Sequence, residues 1–242
     1  MSGGFIDLHS HYVPEVDDGV TSYEDGVALC REMHSLGFEM MVATPHIRAG
    51  MFDNQPTQLR EAFERFRGAA SQEPDMPELG LGCEHHCDSL FWALLERREH
   101  MTYPGGHCAL MELPNEMLPP RLEQQFFQIS LKGLRPVLAH PERYVPLLKR
   151  TDPIDPLLQQ GVAAQLDIMA LTGKYGRKVR KAAERMLDEG AYTIACSDAH
   201  RPKDVRDVGK AVDVLFKRAG EEEARTLLAE NPRRLLAGEP TL

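Results

Sequence analysis

The chain has 242 residues, 42% of them hydrophobic and 27% charged, with a formal net charge of −9. That length suits one large domain, read as 1–242, and the acidic balance argues against broad, sequence-independent binding to nucleic acid, which needs basic surface. No apolar run is long enough to span a bilayer and no export-type leader opens the chain, so a cytoplasmic protein that does not enter the membrane is expected.

In chain order, short apolar runs alternate with helical patterns. The strands are expected at 4–9, 38–44, 78–84, 108–113, 135–140, 162–168 and 191–198. Several are almost continuously apolar, as parallel strands buried on both faces are. Helices are expected at 22–36, 55–70, 87–99, 119–132, 174–189, 204–219 and 221–229, the first opened by a Ser22-x-x-Asp25 capping box and stopped by Gly37. Strands alternating with helices imply βαβ units on a parallel sheet. Seven repeats favour a closed or nearly closed α/β barrel over an open sheet. The five cysteines are odd in number and irregularly spaced, which suits reduced thiols.

The polar residues fall at the strand ends. His9 and His11 end the first strand, His46 follows the second, Glu84 ends the third, Glu112 the fourth, His140 the fifth, and Asp198 and His200 the seventh. In a parallel α/β barrel those C-terminal ends form the active-site face. Imidazole and carboxylate together suit borderline or hard divalent ions such as Mn, Fe, Zn or Mg. The donors exceed what one ion takes, so two or three ions are expected, with carboxylates bridging pairs roughly 3.5–4 Å apart. Such a cluster suits hydrolysis of a phosphoester, and arginines beside it, Arg143 and either Arg201 or Arg206, suit phosphate oxygens.

The motifs "DLHSH", "ATPH", "HPER" and "SDAH", in this order, resemble the PHP superfamily of metal-dependent phosphoesterases. The run Pro14, Asp17, Asp18, Gly19 is similar to the "P-x-x-D-D-G" segment of its CpsB/CapC branch, the bacterial protein-tyrosine phosphatases. The resemblance covers about 1–206 and implies a distorted (β/α)7 TIM-like barrel with a trinuclear, manganese-preferring centre. It implies that a metal-bridging hydroxide hydrolyses phosphotyrosine on proteins, notably the tails of bacterial tyrosine autokinases in capsule or exopolysaccharide export. Carried over, one ion takes His9, His11, Glu84 and Asp198. Glu84 bridges to a second held with Glu112 and His140, and a third takes Asp18, His46 and His200. Arg143 matches the phosphate-binding arginine, and Arg206 is preferred to Arg201 for the second. Carboxylates at Asp18 and Glu112 favour this branch over the histidinol-phosphatase and polymerase-associated ones.

The competing readings are a phosphatase of small metabolites on the same fold, and a catalytically silent regulatory barrel. A cysteine-based phosphatase needs an arginine six positions after the nucleophile, and no cysteine here has one. His85 and His86 read as neighbours of the site or surface residues, and Asp7 as a residue orienting a ligand. Asp167 is unassigned, and Glu15 and Asp17 have no role. The basic run at 177–186 reads as solvated helix surface. The sequence leaves oligomeric state open.

Overall fold

The computed structural model describes residues 3–242. The first strand, β1 (Phe5–Ser10), pairs in parallel with β2 (Phe38–Ala43), and β2 with β4 (Glu78–Leu81). A second sheet runs β3 (His46–Ile47), β5 (Glu84–His86), β6 (Cys108–Glu112), β7 (Arg135–Ala139), β8 (Ala163–Asp167) and β9 (Ile194–Cys196), every pair parallel. Of the seven expected strands, 38–44 is found as β2 and is followed by the additional short strand β3, whereas 78–84 is broken into β4 and β5, so that Glu84 opens a strand instead of ending one.

The steps from β2 to β3 and from β4 to β5 are kinks in one continuous path. Pro45 has no N–H to give a ladder, so the second strand turns there. Gly82 N–H still donates to Ala43 O at 2.7 Å and Glu84 N–H to Pro45 O at 3.2 Å. Pairing thus passes from β2–β4 to β3–β5 without interruption. The ring closes where Asp198 N–H donates to His9 O and His11 N–H to Ala199 O, each at 2.9 Å. The fold is the distorted seven-station barrel that the alternating pattern implies.

The helices α1 (Tyr23–Ser35), α2 (Pro56–Ala70), α3 (Ser89–Arg97), α4 (Leu122–Leu131), α5 (Asp155–Gln159), α6 (Arg177–Asp188), α7 (Val205–Ala219), α8 (Glu221–Arg225) and α9 (Asn231–Ala237) surround it. Ser22 Oγ accepts the Asp25 N–H and caps α1 as its sequence predicts. The expected helix at 221–229 is shorter: after α8 the chain takes a π-turn at 226–230 and resumes as α9. The main core lies between helices and sheet, around Met41, Phe63, Phe126, Leu138 and Leu215. A second cluster joins Leu8, Leu110, Val137 and Ile194 of the strands to Leu235 of α9. α9 thereby packs beside Cys108 and Ile194, which begin their strands, and leaves the opposite ends free for polar residues. No helix among the described residues is long and apolar enough to cross a membrane.

Candidate metal centre

All nine expected ligands converge at the C-terminal mouth of the barrel. Glu84 is central: its Oε2 lies 3.1 Å from His9 Nε2 and 3.1 Å from His46 Nδ1, and its Oε1 lies 2.9 Å from His140 Nε2. Asp198 Oδ1 lies 3.2 Å from His9 Nε2 and 3.3 Å from His11 Nε2. Asp18 Oδ1 stands 3.5 Å from both His46 Nε2 and His200 Nε2. Four groups have donor atoms mutually within 4.8 Å: His11, Asp18, His46 and His200; His9, His11 and Glu84; His9, His140 and Asp198; and His46, Glu84 and Glu112. They share members, as a cluster of neighbouring ions requires.

The site grades from floor to lip. His9, His11, Glu84, His140 and Asp198 are buried, while Asp18 is exposed and His46 and His200 are half-buried. Two of the expected ligands sit on left-handed backbone, His140 at φ 32° and Asp198 at φ 49°. For non-glycine residues that conformation costs about 1–3 kcal/mol and collects at functional sites. Glu142, between His140 and Arg143, is fully buried and accepts from Asp167 N–H and Tyr192 Oη, each at 2.9 Å. Burial, then the charge of Asp167, pushes its pKa up to about 8.

The family model for capsular polysaccharide synthesis, CpsB/CapC, matches residues 5–237. The chain belongs to the CpsB/CapC family. It is 30% identical over 233 residues to the tyrosine-protein phosphatase YwqE of Bacillus subtilis (strain 168), covering 96% of this chain and 91% of that protein. It is 28% identical over 240 residues to the tyrosine-protein phosphatase CpsB of Streptococcus pneumoniae, covering 96% and 98%. A crystal structure from the set of YwqE and CpsB, described as metal-dependent tyrosine phosphatases, matches with a TM-score of 0.89 at 28% identity over 98% of this chain and 96% of that one.

The donor set of this CpsB/CapC member fits divalent ions. Four carboxylates, Asp18, Glu84, Glu112 and Asp198, meet five imidazoles, with Arg143 as the guanidinium bonded to Asp198. Buried anions at this density require added positive charge. Without metal, protons meet part of that demand. Burial opposes charge on His9, but Glu84 and Asp198 outweigh it and hold the pKa up to about 9. Burial likewise opposes ionisation of Glu84 and Asp198, yet His9 and the other imidazoles around them pull both well below the usual carboxylate range. The buried His11 Nε2 and His140 Nδ1 make no hydrogen bond with the described residues. His11 Nε2 is the atom its first-strand geometry aims at the cluster.

Residues outside the expected ligand set hold it in place. Asp17 Oδ2 accepts from His11 Nδ1 at 2.7 Å and from the His46 backbone N–H at 3.1 Å, while Oδ1 accepts from Gly19 N–H at 2.9 Å. The Gln165 side-chain amide lies against His9 Nδ1, its Oε1 at 3.0 Å. Such partners fix which ring nitrogen faces a metal. His86 Nδ1 lies 3.1 Å from Glu112 Oε2. His85 points away, its Nε2 against the Met101 backbone at 3.0 Å. Asp7 orients no imidazole: it receives Ser197 Oγ at 2.5 Å and Ser197 N–H at 2.9 Å, and so positions the loop that carries Asp198 and His200. No metal-binding group of three or more among the described residues includes a cysteine.

The arginines divide. Arg143 Nη1 bonds Asp198 Oδ2 at 2.6 Å and lies 3.6 Å from Asp167 Oδ2, with the guanidinium 4.6 Å above the Tyr175 ring. Asp167 also caps the following turn by accepting the Met169 N–H. Arg201 Nη2 donates to Asp18 O at 3.2 Å, beside the lip ligand. Arg206 is exposed on the first turn of α7 and makes no hydrogen bond or ion pair with any ligand residue among those described. Sequence reasoning also passed over the loop after β3, where Phe52 stacks on His46 at 5.2 Å and Arg48 Nη1 comes 4.0 Å from Glu112. The stack on a ligand ring has no linear motif to announce it.

Proposed function

We propose that this chain is a metal-dependent protein-tyrosine phosphatase. The observation that carries the reading is the convergence of nine His, Asp and Glu donors with Arg143 at the mouth of the barrel, in a chain of the CpsB/CapC family. His9, His11, Glu84 and Asp198 would hold a first ion, Glu84, Glu112 and His140 a second, and Asp18, His46 and His200 a third, with His11 close enough to that last group to share in it. The three-ion count, and manganese as the native metal, are part of this proposal. Bound divalent ions supply Lewis acidity and a water made nucleophilic near neutral pH.

The protein's own groups do the rest. Arg143 has one nitrogen committed to Asp198 and keeps further N–H donors for phosphate oxygens. Burial opposes its charge, but Asp198 and Asp167 keep it protonated. Tyr175 supports the plane of the guanidinium from below. Arg201, tied to the Asp18 loop, is better placed than Arg206 for a second phosphate contact. Phenolate leaves readily, so the reaction needs no dedicated acid at the ester oxygen. The exposed lip at Asp18 and the half-buried His46 and His200 leave room for an aryl phosphate borne on another protein. The physiological phosphoprotein we propose is the tyrosine-phosphorylated tail of a kinase in polysaccharide export.

The test is hydrolysis of a tyrosine-phosphorylated peptide by protein loaded with Mn, Mg, Zn or Fe, alongside elemental analysis. Turnover that requires metal and is faster on phosphotyrosine than on histidinol phosphate supports the proposal. Turnover that survives complete chelation refutes it.

A further inference from the structure

The basic run of α6, expected as solvated surface, walls one side of a groove of about 580 Å³ whose other wall is the segment that follows Arg143. Its apolar floor is Val145, Pro146 and Leu148, with Val145 45% exposed. Its cations are Lys149, Lys178 and Lys181, together with Arg150. Arg150 already pairs with Asp152 at 3.6 Å, but the three lysines have no ion pair among the described residues. No acidic residue lines the groove. The acids nearby are engaged elsewhere, Glu184 with Arg180 and Glu189 with Thr151. In a chain of net charge −9, an unopposed cluster of this kind is a local exception. It also sits on the first turns of α6, which carry Arg177, Lys178, Arg180 and Lys181 with no acid in the first turn, where the helix dipole disfavours cations.

Two features tie the groove to catalysis. Its walls continue the chain from the residues that stack at the rim: Arg143 leads into Val145, and Tyr175 leads into α6. The groove is also preformed, because Arg185 of α6 donates to Leu147 O at 2.7 Å and to Leu148 O at 3.1 Å and clamps the loop against the helix. An apolar floor between free lysines complements an extended peptide that carries acidic side chains.

We infer that this groove binds an Asp/Glu-rich segment flanking the phosphotyrosine of the substrate protein and selects phosphotyrosines in acidic context. The inference rests on the phosphatase reading above. Metal-loaded protein and a K149A/K178A/K181A variant are compared on a phosphotyrosine peptide with acidic flanks, the same peptide with Ser/Gly flanks, and p-nitrophenyl phosphate. In the unaltered protein KM is lower for the acidic peptide, and the advantage shrinks at high salt. The triple variant raises KM for the acidic peptide roughly tenfold, the product of three screened pairs. It leaves kcat, the neutral peptide and p-nitrophenyl phosphate unchanged. Equal KM for the two peptides in the unaltered protein, or a preference that survives in the variant, overturns the inference. So does loss of binding to phosphatidylserine vesicles in the variant without loss of peptide selectivity, which would make the groove a membrane contact. Absence of turnover on all three substrates instead refutes the phosphatase reading itself.

Discussion

Asp17→Asn tests whether the metal centre depends on a residue that binds no metal in the proposed scheme. Asp17 is the acceptor for three donors: the His11 ring, the His46 N–H and the Gly19 N–H. Its side chain is 1% exposed, so solvent cannot replace what is lost. The amide keeps the shape but offers one acceptor oxygen. If that oxygen stays with Gly19, the new NH2 faces the His46 N–H and the His11 ring; the flipped amide opposes Gly19 instead. Either way one buried donor is orphaned, at about 1–3 kcal/mol, and a charge-assisted bond is weakened, for a total of about 2–4 kcal/mol in the metal-free protein. Metal affinity falls roughly 10–100-fold, because His11 is no longer held with Nε2 toward the cluster. Urea unfolding in chelator measures the first quantity and calorimetric titration with Mn the second. Affinity within about twofold of the unaltered protein, with an unchanged unfolding midpoint, would refute the view that Asp17 sets the orientation of His11.

Other substitutions separate the roles. Glu84→Gln removes the carboxylate that touches His9, His46 and His140, and lowers metal stoichiometry by elemental analysis and kcat/KM by at least about 100-fold. Arg143→Lys preserves metal content but loses the planar donor fork, and kcat/KM on phosphotyrosine peptide drops roughly 100-fold. Arg201→Ala raises KM for the same peptide more than Arg206→Ala does, since only Arg201 reaches the Asp18 loop; the opposite order returns the phosphate-binding role to Arg206. Cys196→Ser stays active while chelation abolishes activity, because burial pushes the Cys196 thiol well above its usual range and no thiolate forms; an inactive variant with intact metal content would argue for a cysteine nucleophile.

The stations of the barrel were legible because parallel strands buried on both faces write themselves as nearly continuous apolar runs, as in "CALME" and "RPVLA". The clustering of the His, Asp and Glu donors was legible because topology sends every strand end to the same mouth, so linear position stood in for three-dimensional proximity. What escaped notice depends on angles a linear pattern does not carry. Periodicity treated residues 78–84 as one strand, whereas Gly82 sits at a kink that moves Glu84 into a second sheet. Asp17 and Asp18 are adjacent and identical, yet one turns inward to His11 and the other out to His46 and His200. The signal for Asp17 was the doubled acid itself, since neighbouring residues in a tight turn rarely face the same way. Gln165 offered none: an amide inside an apolar strand is assigned a role only once His9 is seen against it. Residues 177–181 read as solvated because a charge pattern gives no hint of the apolar floor beside them.

The closing seam of the barrel runs through residues of the proposed metal centre. The backbones of His9, His11, Asp198 and Ala199 carry the hydrogen bonds that join the last strand to the first, and the Asp7–Ser197 pair lies beside them. An ion held by both His9 and Asp198 would therefore also draw the two ends of the sheet together. In the proposed scheme metal occupancy would act as a clasp on the circular ladder, and its binding energy would appear as resistance to opening at one place in the ring. Amide exchange at His11 and Asp198 should slow steeply on loading, while Val137 and Leu138, on the far wall, change little. On losing its ions, the molecule would begin to unroll at the mouth where substrate enters.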